Sequence, residues 1–458
     1  MWYYSFTMGN KANTNQYEKM TMTPIPRLIV TLSIPTIISM LVTNIYNLVD
    51  TAFVGMLGTS ASGAVGIVFG FMAILQAIGF LFGQGCGSIM SRLFGKHDDK
   101  GASRAGSTGF FGALTLSIIA EIICFIFLDQ LVMLLGSTKT IAPYAKTYIT
   151  YILIAAPFIV ASFTMNNILR YEGKASLGMI GLLVGAILNM VGDPILMFVL
   201  DMGIAGAGLS TCLSQFVSFV ILLSFFLRGK TICKLTLKNV VLRADYIGNI
   251  MATGLPSLIR QGLQSASTII LNMAAAPYGD AAISGMSAVS RITFFVFSVC
   301  LGIGQGFQPV SGFNYGASKF KRLRKAFDYA FKLATILIVV LSIVVFFTAT
   351  PLVKLMRDDP EVINIGVRAL KLQCLTSVFL PFCTMTEMLL QSTGKRLHAS
   401  LLSSLKSGIL FIPTLLLLVY FRGLNGIQEA QPVTNFLQVI PSFILAVWYF
   451  RKLPKEDA

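Results

Sequence analysis

Two aspartates lie inside otherwise apolar stretches of this chain, and each is accompanied by carboxamides. Asp50 closes the run Asn44-Ile45-Tyr46-Asn47-Leu48-Val49-Asp50, and Asp193 sits in Asn189-Met190-Val191-Gly192-Asp193-Pro194. On a helix, Tyr46 and Asn47 stand four and three residues before Asp50, so the three share one surface, as Asn189 and Asp193 do at i and i+4. Pro194 removes a backbone donor and frees a carbonyl near the aspartate. An ionisable group in hydrocarbon costs about 2.5–3.5 kcal/mol at mid-bilayer on insertion scales. Two acids with two amides and a loosened helix suit an oxygen-rich site for Na⁺, or a carboxyl that holds a proton. The competing reading is that both aspartates bond neighbouring helices and only fix packing.

The elements that position these groups are membrane helices. The chain has 458 residues, of which 55% are hydrophobic and only 12% charged, with a mean hydropathy of +0.77. Soluble domains carry about 25% charged residues. Apolar runs of about 20 residues, the length that crosses a bilayer as helix, recur throughout, and they lack the alternation of a transmembrane β-barrel. The runs place spans at 28–56, 63–91, 106–128, 147–169, 177–200 and 204–227, then 248–276, 284–312, 327–349, 366–390, 399–420 and 434–450. The expected class is therefore an all-α membrane protein of twelve spans.

The second half repeats the first at an offset of 221 residues: Pro35 pairs with Pro256, Gly58 with Gly279, Gly83-Gln84-Gly85 with Gly304-Gln305-Gly306, and Gly173-Lys174 with Gly394-Lys395. A period this long is a duplicated domain rather than a solenoid repeat. With an even number of spans per half, the halves run parallel. The expected organisation is a polar segment 1–26, an N-lobe 27–227, an amphipathic basic linker 228–247, a C-lobe 248–450 and a tail 451–458, the two six-helix lobes facing a central cleft. Residues 1–26 show no apolar signal-peptide core and are expected to be disordered, with Met8, Met20 and Met22 as alternative starts.

The net charge of +16 is concentrated in one set of loops. Arg92, Lys96, Lys100 and Arg104, the linker cations Arg228 to Arg243, the run Lys319 to Lys325, and Arg451, Lys452 and Lys455 all fall on one side. The opposite loops 57–62, 201–203 and 277–283 hold no charge beyond Asp201 and Asp280; only 354–361 departs from this. The positive-inside rule puts the basic side and both termini in the cytoplasm of a cell-membrane protein, and the same rule explains the charge without nucleic acid. The seven cysteines form no CxxC pair, which argues against disulfides and metal sites.

In the second half the repeat positions of Asp50 and Asp193 are Leu271 and Thr414, so the ion chemistry is expected in the first half alone. The embedded polar candidates there are Arg260, Gln264, Arg291, Glu387 and Lys406, with Arg260 and Glu387 a conceivable ion pair. The Gly-Gln-Gly tripeptides read as close helix packing, since no GxxxxGK[ST] phosphate loop exists. An enzyme is disfavoured: His97 and His398, the only histidines, lie in or beside loops, and nothing catalytic is assembled. A symmetric channel is disfavoured by acids confined to one half.

Pro35, the run from Asn47 to Gly55, Gly83-Gln84-Gly85, Gly173-Lys174, the run from Asn189 to Pro194 and Gly304-Gln305-Gly306 together resemble the MATE (multidrug and toxic compound extrusion) transporters, near the MepA/DinF-like bacterial branch, over about residues 24–450. The resemblance implies a V-shaped, twelve-helix, monomeric antiporter without cofactors, which exports cationic or amphipathic drugs against inward H⁺ or Na⁺ by alternating access. It also implies a coupling-cation site, a possible Na⁺ site, at Asp50, Asn189, Asp193 and Thr211, with Asn47, Tyr148, Asn166, Gln264 and Glu387 as further cation- or substrate-lining groups. NorM-like members carry an acid in span 7 where Gln264 stands here, which counts against a second cation site. A lipid-linked precursor flippase of the same superfamily is the alternative; those often carry an Arg- and Lys-rich cleft. The orientation has a direct check in intact cells. Cysteine at Thr59→Cys is expected to react with a membrane-impermeant thiol reagent, and cysteine at Lys100→Cys only after permeabilisation; the reverse pattern would invert the topology.

Overall fold

The computed structural model describes residues 16–457, and among them there is helix and no strand. The long helices are α1 (Ile25–Gly55), α2 (Thr59–Gly95), α3 (Asp99–Ile126), α4 (Ala142–Tyr171), α5 (Ala175–Val199) and α6 (Gly203–Leu227), followed by α7 (Ala244–Ala275), α8 (Asp280–Gly316), α9 (Phe320–Phe347), α10 (Pro360–Ser392), α11 (Arg396–Arg422) and α12 (Leu424–Lys452). Eleven are apolar enough to count as membrane spans by length and composition. The twelfth, α7, has 32 residues, about 48 Å at 1.5 Å per residue, but Asp245, Arg260 and a run of Ser, Thr and Gln dilute its apolar character.

The duplication shows in the turns as well as in the helices. Gly58 and Gly279, which end the first connection of each half, have φ of +112° and +91°, and Gly173 and Gly394 have +82° and +84°. Only glycine takes these conformations without a Cβ penalty, which is a physical reason for glycine at both copies. Short helices Leu128–Leu134 and Ala349–Met356 follow α3 and α9 at matching places.

By packing, the chain divides into two compact units, and the division falls inside two helices rather than at the linker. Of the described residues, the first unit takes 16–22 and 38–258; the second takes 23–37 and 259–457. Each switch lies two residues past a proline, Pro35 in α1 and Pro256 in α7, both of which sit inside their helices rather than starting them.

In the first unit the central element is α4, with Tyr148, Ile149, Ile152, Leu153 and Ala156 fully buried. It packs against α2, α3, α5 and α6. The opening turns of α7 belong to this unit: Ser257 Oγ donates to Gln84 Oε1 at 2.6 Å, and a Cβ on Gly85 would stand 2.2 Å from the carbonyl oxygen of Ile250. In the second unit the opening turns of α1 do the equivalent, since a Cβ on Gly306 would meet Ser33 at 2.5 Å and one on Gly302 would meet Ile37 at 2.6 Å. The repeated glycines are therefore close-packing devices, as the sequence suggests.

One expectation changes. Residues 16–22 are helical rather than disordered: Met20 is fully buried, Gln16 donates to the Glu172 carbonyl at 2.8 Å, and the rings of Tyr17 and His97 lie 3.9 Å apart. Residues 1–15 lie outside the described residues. Within the linker 228–247, residues 232–241 are pinned to the first unit. The buried Glu172 carboxylate accepts the Ile232 and Cys233 N–H groups at 2.6 and 3.3 Å and Lys174 Nζ at 2.6 Å, while Ser103, Ser107 and Thr108 bond the backbone of residues 234–241. Burial pushes the Glu172 carboxyl above the usual carboxylate range, against the opposing pull of Lys174 and the two N–H donors.

A Cβ on Gly254 would stand 1.8 Å from the carbonyl oxygen of Leu81, whereas one on Gly262, further along α7, would meet nothing within 4 Å. Gly254→Ala is expected to destabilise the purified protein by about 1–3 kcal/mol, the usual cost of overpacking, with Gly262→Ala near neutral. A thermal-unfolding comparison of the two variants checks this.

Candidate functional site

The site is assembled in the first unit from the later turns of α1, the opening turns of α4, the end of α5 and the start of α6. Asp50, Tyr148, Asn189, Asp193 and Thr211 are all buried. The carboxyls of Asp50 and Asp193 come within hydrogen-bonding reach of each other, and the phenols of Tyr46 and Tyr148 lie within electrostatic reach of both. Asn189 Nδ2 ties the group together. It donates to Asp193 Oδ1 at 3.0 Å and to the hydroxyls of Ser210 and Thr211 at 3.3 Å each, and Ser210 Oγ donates back to the Asn189 carbonyl at 3.3 Å.

The local sequence explains this placement. Asn189 and Asp193, one turn apart, project from one face of α5. Immediately after Asp193, Pro194 cannot donate, and the helix relaxes into a π-turn over Ile195–Val199, with Leu200 N bonded to Ile195 O at 2.9 Å. Single π-turns inside α-helices recur at functional sites. On α6, small residues let the helices approach: a Cβ on Gly192 would meet Ser210 Oγ at 2.6 Å.

Three oxygens of the cluster, Asp50 Oδ1, Asn189 Oδ1 and Asp193 Oδ2, are buried without a hydrogen-bond donor among the described residues, while the Tyr148 hydroxyl lies within reach of Thr211. Among the described residues, neither aspartate has a lysine or arginine within ion-pairing distance. Buried polar groups are ordinarily satisfied, so this donor set fits a positive guest. Its all-oxygen character suits a hard cation or a proton rather than a soft metal, and among the described residues no group of three His, Cys, Asp or Glu side chains gathers to hold a metal.

The other sequence candidates separate. Asn47 lies one turn before Asp50 and is half-buried. Asn166 is not in the cluster: its side chain packs at the beginning of α5, where a Cβ on Gly178 would meet Asn166 Nδ2 at 2.7 Å, fifteen residues from Asp193. Span register explains this, since Tyr148 and Asn166 sit near opposite ends of the same helix. Gln264 and Glu387 belong to the second unit. Glu387 accepts Arg260 Nη1 at 2.7 Å and Ser403 Oγ at 2.6 Å, so the conceivable ion pair is formed and buried. Arg291 is exposed. Ser210 is the contributor that sequence reading missed; its adjacency to Thr211 was the available signal, but periodicity alone does not say which hydroxyl of a small-residue helix turns inward.

The MatE family profile matches the chain twice, over residues 35–195 and 256–417. The multidrug export protein MepA of Staphylococcus saprophyticus is 26% identical over 427 residues, covering 93% of this chain and 94% of that protein. The protein of the same name from Staphylococcus aureus is 26% identical over 423 residues, covering 92% and 93%. Among solved structures, a MATE in complex with MaL6 superposes with a TM-score of 0.91 at 26% identity, covering 96% of this chain and 99% of that one. An outward-facing multidrug resistance MATE family transporter of the MOP superfamily gives 0.90 at the same identity and coverage. The geometry itself carries a stability prediction. Asn189→Leu removes the donor shared by Asp193, Ser210 and Thr211 and is expected to cost about 1–3 kcal/mol, measurable as a lowered unfolding midpoint of the purified protein; an unchanged midpoint would show that the bonds do not hold α5 to α6.

Proposed function

From its membership of the MatE family, in which proteins are transporters rather than enzymes, we propose that this chain is a secondary active multidrug exporter of the cell membrane. It moves cationic or amphipathic drugs outward in exchange for inward H⁺ or Na⁺ by alternating access, as a monomer with both termini in the cytoplasm and with no cofactor beyond the coupling ion.

The observation that supports this is the pair of buried carboxyls in mutual reach, with no basic partner among the described residues and with unsatisfied oxygens around them. Two adjacent carboxylates in a low-dielectric interior repel strongly, and an uncompensated buried charge costs several kcal/mol. One positive guest relieves both penalties. In this reading Asp50 and Asp193 hold the coupling ion, Asn189 and Thr211 orient the carboxyl of Asp193 and the hydroxyls beside it, and Tyr148 closes the site from α4. Loading the site stiffens the end of α5 at its π-turn, and that state disfavours bound drug. Export requires only that ion and drug oppose each other energetically, with a coupling of about 1–3 kcal/mol. The names of the MepA relatives and of the outward-facing transporter support drugs as the cargo. The flippase alternative calls for several free cations to receive a diphosphate, whereas Arg260 is committed to Glu387, Arg291 is exposed, and Lys406 alone of the three stands at a cavity without an ion-pair partner among the described residues.

The experiment is ethidium efflux from energised vesicles under a pH gradient and a Na⁺ gradient imposed separately. Asp50→Asn and Asp193→Asn keep the shape of each side chain while removing its charge, and each is expected to reduce gradient-driven efflux by tenfold or more. Full gradient-driven efflux in either variant would contradict the role assigned to that residue.

A further inference from the structure

The second unit contains a cavity of about 150 Å³ that borders α7 to α12. Its lining combines apolar and aromatic surface, including Phe297 and Phe411, with neutral hydrogen-bonding groups such as Thr293, Gln373 and Asn435. Lys406 is the one charged side chain among its lining residues. Lys406 Nζ rests 3.3 Å from the centroid of the Phe297 ring, a contact that attracts a cation without neutralising it. Glu387, the nearby acid, is bonded to Arg260 and Ser403, and no carboxylate among the described residues lies within ion-pairing distance of Lys406. The cavity therefore presents one uncompensated positive charge beside an aromatic wall and several hydroxyl and amide groups.

The backbone marks the same spot. Lys406 sits on a π-turn, Leu405–Ile409 in α11, and the Ser407 carbonyl in that turn is taken by Ser267 Oγ. By the repeat, α11 is the counterpart of α5, whose own π-turn follows Asp193. The same helix of the duplicated fold is thus distorted in both units, once beside acids and once at a lysine. The cluster in the first unit suits a positive guest, and the cavity in the second suits a negative one.

We propose that the cavity at Lys406 is a binding site for a small aromatic or amphipathic monoanion, a carboxylate by preference. Its charged group pairs with Lys406 Nζ, the neutral donors at the wall bond its second oxygen, and its ring lies against Phe297 and Phe411. A cavity of this volume accommodates one benzene-sized ring. A single lysine balances a single negative charge, which favours a carboxylate over a multiply charged phosphate.

The test is binding to the full-length protein in lipid nanodiscs, read by fluorine NMR with 4-fluorobenzoate, 4-fluorobenzamide and 4-fluorobenzylammonium, and with protein-free nanodiscs subtracted for partition into lipid. Wild-type protein is expected to bind the benzoate at least tenfold more tightly than the benzylammonium, a comparison that needs no variant. Lys406→Gln is expected to weaken the benzoate tenfold or more and leave the benzamide unchanged, while Lys406→Arg keeps benzoate binding. Equal benzoate binding by Lys406→Gln, or a wild-type preference for the benzylammonium, would overturn the assignment. Because the readout is binding and not efflux, its failure is distinguishable from a failure of the exporter reading.

Discussion

Two carboxyl groups buried against one another, with no basic side chain among the described residues to balance them, are the constraint around which the first unit is organised. Such a pair is tolerable only when something positive is shared between its members. Everything close by serves that requirement: the carboxamide of Asn189 fixes one carboxyl, two hydroxyls on α6 fix the carboxamide, and two buried phenols close the remaining sides. Helix α5, which carries most of the group, is also the helix that loses regular geometry, at Pro194 and the π-turn beyond it. Charge and mechanical softness are placed at one point.

The second unit shows what the duplication has kept and what it has let diverge. Turn glycines and close-packing glycines recur, and the fifth helix of each copy carries a π-turn, although the second copy's lies eleven residues before the repeat position of the first. The charges do not recur. Where the first copy has its acids, the second has Leu271 and Thr414, and its embedded charges are the buried pair Arg260 and Glu387 and the half-buried Lys406 instead. Scaffold and chemistry have separated, as expected when function resides in side chains grafted on a fold.

Much of this was legible from residues alone. Asn189 and Asp193 at i and i+4 had to share a face once α5 was a helix, and the 221-residue offset required two equivalent bundles. The assignment of helix segments to units was not legible, because the switch after Pro35 and Pro256 depends on tertiary contacts such as Gly254 against Leu81 and Gly306 against Ser33. The order in residues 16–22 was hidden for a similar reason: Gln16 and Met20 are held by partners near residue 172, far along the chain. Asn166 was misplaced relative to the cluster because a span read only as apolar has no marked depth, so Tyr148 and Asn166 looked equally near the acids. Lys406 stood out as an embedded charge, but its position on Phe297 beside a cavity required coordinates.

The central claim is that Asp50 and Asp193 together hold one exchangeable cation whose departure accompanies drug binding. The most direct measurement is the ion released when ethidium is added to the purified protein, followed as a pH change in weakly buffered solution and as displaced radioactive Na⁺. The account predicts release of about one H⁺ or one Na⁺ per drug bound, abolished when both aspartates are changed to asparagine while the protein remains folded. Undiminished release from that double variant would contradict it.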